Sequence, residues 1–186
     1  NPHTGLRYCD DPVFVMTEIV NESDLFTETF PIQAEPYKTE FFELLENWLC
    51  ENDISKKACD FDTADYQDET LIAFKIHLQT EYYKNMITFM REIGIKVPIT
   101  GTNWASTPAN MITQHGTDFI DIHAYMYTWS WKEFEKRCIT TGITQQKESF
   151  LAPSAITVKH DAPVFVSEWD MPWPNEHRAE SPLYCA

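Results

Sequence analysis

The chain has 186 residues, 43% hydrophobic and 14% aromatic, which is enough for one core and excludes an intrinsically disordered protein. Lys and Arg total 14 against 29 Asp and Glu, and the resulting net charge of −15 argues against nucleic acid and anionic membrane surfaces as partners. No stretch approaches the roughly 20 apolar residues of a membrane-spanning helix.

Four short apolar runs bounded by polar or turn-forming residues predict β-strands. In chain order they cover residues 11–22, 95–103, 117–127 and 162–169. One-sided apolar spacing predicts helices, which cover residues 38–49, about Glu69 to Ile93 with Gly94 as C-terminal cap, and a shorter piece around Lys132–Arg137. By the same spacing, aromatic side chains of the first two helices are predicted to face the core; they are Trp48, Phe74, Tyr82 and Phe89.

Strands that alternate with helices are typical of parallel βαβ units, whose strands are covered on both faces and read as continuous apolar runs. The predicted fold class is therefore α/β, with parallel strands. In such folds the C-terminal ends of the strands gather on one face, where reacting groups lie.

Two predicted strands end in a glutamate, Glu22 on the first and Glu168 on the last. We expect the two carboxylates to meet at the common strand-end face. Two carboxylates about 5 Å apart are what retaining glycoside hydrolysis requires. One acts as the nucleophile, while the other protonates the leaving oxygen and later deprotonates water.

Three segments resemble strands of clan A glycoside hydrolases, most closely the family 5, cellulase-like branch. They are "EIVNE" ending at Glu22, "DIHAY" at 121–125 and "VFVSEW" at 164–169, which are similar to the fourth, sixth and seventh strands of that family. The stretches "NPHTGLRYCDDPVFVMTEIVNESDL" and "IGIKVPITGTN" are similar to sequences around its fourth and fifth strands. The resemblance implies a partial (β/α)8 TIM barrel and a glycosidase that needs neither cofactor nor metal.

The same resemblance assigns roles to individual residues. It implies that Glu22 is the acid/base, that Glu168 is the nucleophile and that Asn21 contacts the 2-hydroxyl of the sugar at the cleavage point. His123 and Tyr125 look like the family's pair beside the nucleophile, in which a tyrosine hydroxyl orients the carboxylate. They alternate along one strand and so lie on one face of it.

Residues that follow the strands are expected to bind the carbohydrate. Asn103, at the end of the second predicted strand, belongs to this group. Tryptophans offer flat apolar faces that stack on sugar rings. The candidates are Trp104, Trp129, Trp131, Trp169 and Trp173.

The chain departs from the family in length. A (β/α)8 barrel takes about 250 residues, and the four predicted strands match only the fourth to the seventh. A second-strand arginine and an eighth-strand tryptophan, both usual in the family's site, have no counterpart. We therefore expect residues 1–186 to be one incomplete catalytic TIM-barrel domain that is inactive in isolation.

Glu18 provides a physical test of the expectation that the barrel is incomplete. Strand alternation places it on the same side as Glu22, towards the interior of a barrel, where a carboxylate needs a partner. None is evident in the four predicted strands. We therefore expect the partner in the part of the barrel that these residues lack.

Two other functions remain open from the sequence. One is a non-catalytic carbohydrate-binding or pseudo-enzyme barrel that keeps the aromatic platforms. The other is a metal-dependent hydrolase, for which Asp118, Asp121 and His123 are the candidate ligands. Cellulose, mannan, galactan or a smaller β-glycoside would each suit the glycosidase, and the oligomeric state is left open.

Five cysteines without a CxxC pair indicate neither a zinc knuckle nor a dense disulfide framework. Cys50 and Cys59 flank a polar loop and are close enough in sequence to be bridged, although separate thiols are the reading that we favour. The localisation is left open, and the sequence is compatible with a secreted or a periplasmic protein.

Overall fold

A computed structural model describes residues 1–26, 32, 34–104, 107–125, 142, 145, 157, 161–170 and 176–184. Its strands are β1 (Thr17–Val20), β2 (Ile99–Thr102), β3 (Ile120–Tyr125) and β4 (Val164–Asp170). Its α-helices are α1 (Tyr37–Glu51), α2 (Glu69–Glu92), α3 (Pro108–Thr113) and α4 (Ser181–Tyr184). Short 3-10 helices cover Tyr8–Asp10, Ala58–Asp60, Gln114–Gly116 and Arg178–Glu180. The predicted helix around Lys132–Arg137 lies outside the described residues.

The described strands pair in parallel, β1 with β2 and β3 with β4, in two small sheets. Asp118 connects the two sheets, because its backbone N–H donates to the Ile99 carbonyl at 2.9 Å and its carboxylate accepts from the Ile99 N–H at 2.7 Å. The strands and the helices α1 to α3 together form a parallel α/β arrangement. Membership of a partial TIM barrel stays a prediction.

The first strand is shorter than its apolar run suggests. Asp11 folds the residues before β1 into a turn, since its carboxylate accepts hydrogen bonds from the side chains of Asn1 and Thr4 and from the Val13 N–H. Those bonds compete with strand pairing. Val13 and Val15 are consequently exposed on an irregular segment.

One apolar core lies between α1 and α2. Its buried members are Phe41, Leu45, Leu49, Ala58, Phe61, Leu71 and Phe74. The loop between the two helices contributes two of them, and the Glu46 carboxylate anchors that loop by accepting the Ala58 N–H at 2.6 Å. Cys50 and Cys59 beside the loop are exposed free thiols. Among the described residues, no helix has the length and apolar character needed to cross a bilayer.

The buried face of α2 differs from the apolar face that the spacing predicts. Tyr82 and Phe89 are exposed, so their predicted core position is wrong. Lys75 and Gln79 are buried instead, because Lys75 donates to the Thr63 carbonyl and Gln79 donates to the Thr113 hydroxyl. Hydrogen bonding thus places polar residues where an apolar pattern expects none.

The end of β2 is fixed by a close approach of α2. A Cβ at Gly101 would lie 2.6 Å from the Gln114 side-chain oxygen and 2.7 Å from the Tyr83 ring, so only glycine fits there. The Gln114 side chain also accepts the Gly101 N–H and donates to the Thr102 carbonyl. This packing holds the segment that follows β2, which carries Asn103.

Candidate active site

The two strand-end glutamates lie close together. Glu22 lies two residues after the end of β1, and Glu168 lies on β4. One carboxylate oxygen of each, together with a ring nitrogen of His123, all lie within 4.8 Å of one another. Their side chains are 41% and 46% exposed, so a ligand can reach both carboxylates.

The imidazole of His123 lies between the two carboxylates. Its Nδ1 is hydrogen-bonded to Glu22 Oε1 at 2.7 Å, and its Nε2 is 3.4 Å from Glu168 Oε1. Only 6% of the His123 side chain is exposed. Tyr125, two residues further along β3 and on the same face, donates its hydroxyl hydrogen to Glu168 Oε2. The two β3 residues that the sequence singled out therefore contact the glutamates directly.

Asn103 is buried beneath the site, with 3% of its surface exposed. Its side-chain oxygen accepts the Glu22 backbone N–H at 2.8 Å, and its amide nitrogen donates to Asn21 Oδ1 at 2.6 Å and to Glu18 Oε2 at 3.1 Å. The amide of Asn103 is thus hydrogen-bonded inside the protein, and its contact with substrate stays a prediction. Its geometry is that of a positioning residue.

Glu22 has a backbone conformation that supports this role of Asn103. Its φ is +43°, in the left-handed region that residues with a side chain seldom adopt. Such conformations are held by surrounding contacts and cluster at functional sites. The hydrogen bond from the Glu22 N–H to Asn103 is one such contact.

Glu18 is only partly satisfied within the described chain. Asn103 donates to its Oε2, so the prediction that the chain offers no partner is wrong for that oxygen. Its Oε1 is buried without a hydrogen-bond partner among the described residues, and a partner elsewhere in a barrel stays a prediction. Burial, and secondly the negative charge of Asp121, raise the pKa of Glu18 to about 7.

Replacing Glu18 with Gln is expected to raise the stability of the fold at pH 8 and to change that stability little at pH 5. The carboxyl has an ordinary pKa of 4.5 and a pKa of about 7 in the fold, so the folded state loses stability as the pH rises through that window. Because the side chain is only half-buried and keeps one hydrogen bond, we expect a gain of roughly 1–2 kcal/mol at pH 8 in the free energy of urea unfolding.

The matched control is Glu43→Gln, which makes the same chemical change at an exposed position of α1. The free energy of unfolding of this variant should differ from that of the unmodified protein by a similar small amount at both pH values. A Glu18→Gln protein that is less stable than the unmodified protein at pH 8 would show that the ionised carboxylate has a strong partner.

The tryptophans give a mixed result. Trp104 follows β2 and is half-buried, and its Nε1 has no hydrogen-bond partner within the described part of the chain. Trp169 pairs with Ala124 on β3 and is next to Glu168 in the strand, so by strand alternation it lies on the opposite face from Glu168, and its contact with substrate stays a prediction. The remaining candidates lie outside the described residues; they are Trp129, Trp131 and Trp173.

The aspartates considered as metal ligands are occupied elsewhere. Asp118 is paired with Arg91 at 2.6 Å, and Asp121 accepts the Ser167 N–H at 3.0 Å. The cluster close enough to hold an ion is instead Glu22, His123 and Glu168. The two ring nitrogens of His123 lie near different carboxylates, Nδ1 at 2.7 Å from Glu22 Oε1 and Nε2 at 3.4 Å from Glu168 Oε1.

No protein-family model, curated protein or solved structure matches this chain.

Proposed function

We propose that this chain is part of the catalytic domain of a retaining β-glycosidase of the family 5 type, built on a (β/α)8 barrel. One observation carries the proposal: two exposed carboxylates, from Glu22 and Glu168, have oxygens within 4.8 Å of each other. Retaining glycosidases place the two groups about 5–5.5 Å apart, whereas inverting enzymes need about 6.5–9.5 Å to admit a water. The separation supports the retaining reaction.

In the proposed reaction, the ionised Glu168 attacks the anomeric carbon of a β-linked sugar. Glu22 donates its proton to the glycosidic oxygen, so the bond to the leaving alcohol breaks as the bond to Glu168 forms. Water then attacks the glycosyl-enzyme ester, Glu22 takes a proton from that water, and Glu168 leaves as a carboxylate. The configuration at the anomeric carbon is retained, and no cofactor is needed.

The neighbouring residues have roles that follow from their contacts. The Tyr125 hydroxyl stabilises and orients the Glu168 carboxylate through its hydrogen bond. His123 contacts both glutamates, so it can couple the proton on one to the charge on the other. The amide oxygen of the exposed Asn21 accepts a hydrogen bond from Asn103. The amide nitrogen of Asn21 is left as the donor for a sugar hydroxyl.

The stereochemistry of the reaction tests this proposal. The full-length protein should release products from β-linked glucans, mannans, galactans or aryl β-glycosides, and proton NMR of the first product formed should show the β-anomer. An α-anomer as first product would contradict the retaining mechanism. Binding of these glycans without any release would favour a pseudo-enzyme.

A metal-dependent hydrolase is the second candidate, and the cluster of Glu22, His123 and Glu168 is the observation that favours it. A retaining glycosidase that uses only its two carboxylates should keep its turnover after dialysis against EDTA, and added Zn²⁺ or Mn²⁺ should not change it. Loss of turnover with the chelator and its recovery with the metal ion would establish the metal-dependent alternative.

A further inference from the structure

Strand β4 carries one residue more than regular pairing with β3 allows. Ile122 pairs with Val166, but the next residue of β3, His123, pairs with Glu168. Ser167 is therefore the extra residue of a β-bulge, and pairing resumes beyond it. The bulge lies next to the proposed nucleophile.

The pattern of burial along β4 shows the same irregularity. Val166 is half-buried and packs against Ile120 and Ile122, on the face of the sheet that Met111 of α3 also contacts. Ser167 and Glu168 are both exposed, although neighbouring residues of a regular strand point to opposite faces. The bulge therefore decides which face Glu168 occupies.

Regular pairing would place Glu168 differently. Without the bulge, Ser167 would oppose His123 and Glu168 would oppose Ala124. Ala124 is buried, and it shares the face of Ile120 and Ile122. A shift of one residue would thus turn the Glu168 carboxylate away from His123 and into an apolar layer.

A buried side chain holds the bulge. The extra residue of a bulge leaves its backbone groups without ladder partners, and here the Ser167 N–H donates to Asp121 Oδ1 at 3.0 Å. Asp121 is 3% exposed, so this acceptor lies inside the protein. Burial raises the pKa of the Asp121 carboxyl, and hydrogen bonding from Ser167 opposes that rise.

We propose that Asp121 is a positioning residue that selects the bulged register of β4 and thereby aims Glu168 at the site. The role of Glu168 as a nucleophile rests on the proposed function, whereas the register of β4 and the hydrogen bond to Asp121 do not depend on the reaction. Asp121 does not touch the reacting atoms. Its effect passes through the Ser167 backbone.

The first test compares Asp121→Ala with Asp121→Asn in the full-length protein. Alanine removes the acceptor of the Ser167 N–H, so kcat for an aryl β-glycoside should fall on the order of 10²-fold with KM little changed, as expected for a misplaced reacting group. Asparagine keeps an acceptor oxygen and should recover most of that loss. Equal loss in both variants would contradict the proposal, since the charge and not the acceptor would then matter.

Deletion of Ser167 provides a sharper test of the register. In the Asp121→Ala background, removing the extra residue leaves only regular pairing, in which Glu168 opposes His123 without a bulge. The deletion should therefore restore most of the turnover that Asp121→Ala loses. A double variant that is folded, as shown by its circular dichroism, and still as slow as Asp121→Ala would overturn the inference.

A readout without catalysis separates this inference from the proposed function. Amide hydrogen exchange at Ser167 should be slow in the unmodified protein and fast in Asp121→Ala, while the control Asp118→Ala, two residues before β3, should lower stability without changing either Ser167 exchange or kcat. Slow exchange at Ser167 in Asp121→Ala would overturn the inference whether or not the protein hydrolyses glycosides.

Discussion

Replacing Glu168 with Gln in the full-length protein is expected to abolish turnover, with kcat/KM for a β-glycoside falling on the order of 10⁴-fold or more. The amide has no negative charge with which to attack the anomeric carbon, while its size and its contact with Tyr125 are preserved. Substrate should still bind, so the dissociation constant of an oligosaccharide should change little. Steady-state kinetics and calorimetric titration measure the two effects separately.

The control for this variant is Glu43→Gln, the same change at an exposed glutamate of α1. It should retain the activity of the unmodified protein. If Glu168→Gln were as active as Glu43→Gln, the protein would not use this carboxylate as a nucleophile. If neither variant nor the unmodified protein turned over a glycoside but all bound one, the pseudo-enzyme alternative would hold.

Chemical rescue identifies the role of Glu168 more directly. Truncation to alanine leaves space for a small anion such as azide beside the anomeric carbon. Azide should then attack an activated aryl β-glycoside from the face that Glu168 occupied and give the α-glycosyl azide in a single inversion. A β-glycosyl azide from Glu168→Ala would assign the nucleophile to another residue.

Replacing Glu22 with Gln is the change with the second largest expected effect, a loss on the order of 10²–10⁴ in rate, as for removal of a general acid/base. The loss should be largest for natural glycosides, whose leaving alcohol needs a proton. It should be smaller for aryl glycosides with good leaving groups, because departure of a nitrophenolate needs no proton. A series of aryl β-glycosides of graded leaving-group acidity measures this dependence.

Azide also distinguishes Glu22 from Glu168. In Glu22→Ala the nucleophile is intact, so the glycosyl-enzyme still forms with an activated substrate and azide replaces water in the second step. The product should be the β-glycosyl azide, after two inversions. Equal losses for all leaving groups in Glu22→Gln, with no azide product in Glu22→Ala, would contradict an acid/base role.

Much of the site is predictable from local sequence patterns. Apolar runs that end in Glu22 and Glu168 predict strand ends with carboxylates, and alternation along residues 121–125 places His123 and Tyr125 on one face. These predictions need only the two-residue period of a strand and the rule that parallel strands end on one side of the sheet. The resemblance to family 5 adds roles that the patterns do not contain.

Other features depend on contacts between residues far apart in the chain. Asn103 is 81 residues from Glu22, and nothing around it in sequence indicates that its oxygen would accept the Glu22 N–H. The burial of Lys75 and Gln79 in α2 likewise arises from hydrogen bonds to other segments. A periodic pattern in the sequence reports only hydrophobicity. It therefore misses polar residues that are buried because they are hydrogen-bonded to other segments.

The direction of the Glu168 side chain shows what the sequence alone predicts and what only the tertiary structure decides. In the sequence of β4 a glutamate follows an apolar run, and this pattern is enough to predict a carboxylate at the edge of a sheet. Strict alternation from Val166, however, would place that carboxylate on the apolar face of Ile120 and Ile122, and only the pairing of β4 with β3 reveals the bulge at Ser167. The direction of a side chain on a strand depends on register, and register is a property of two strands together.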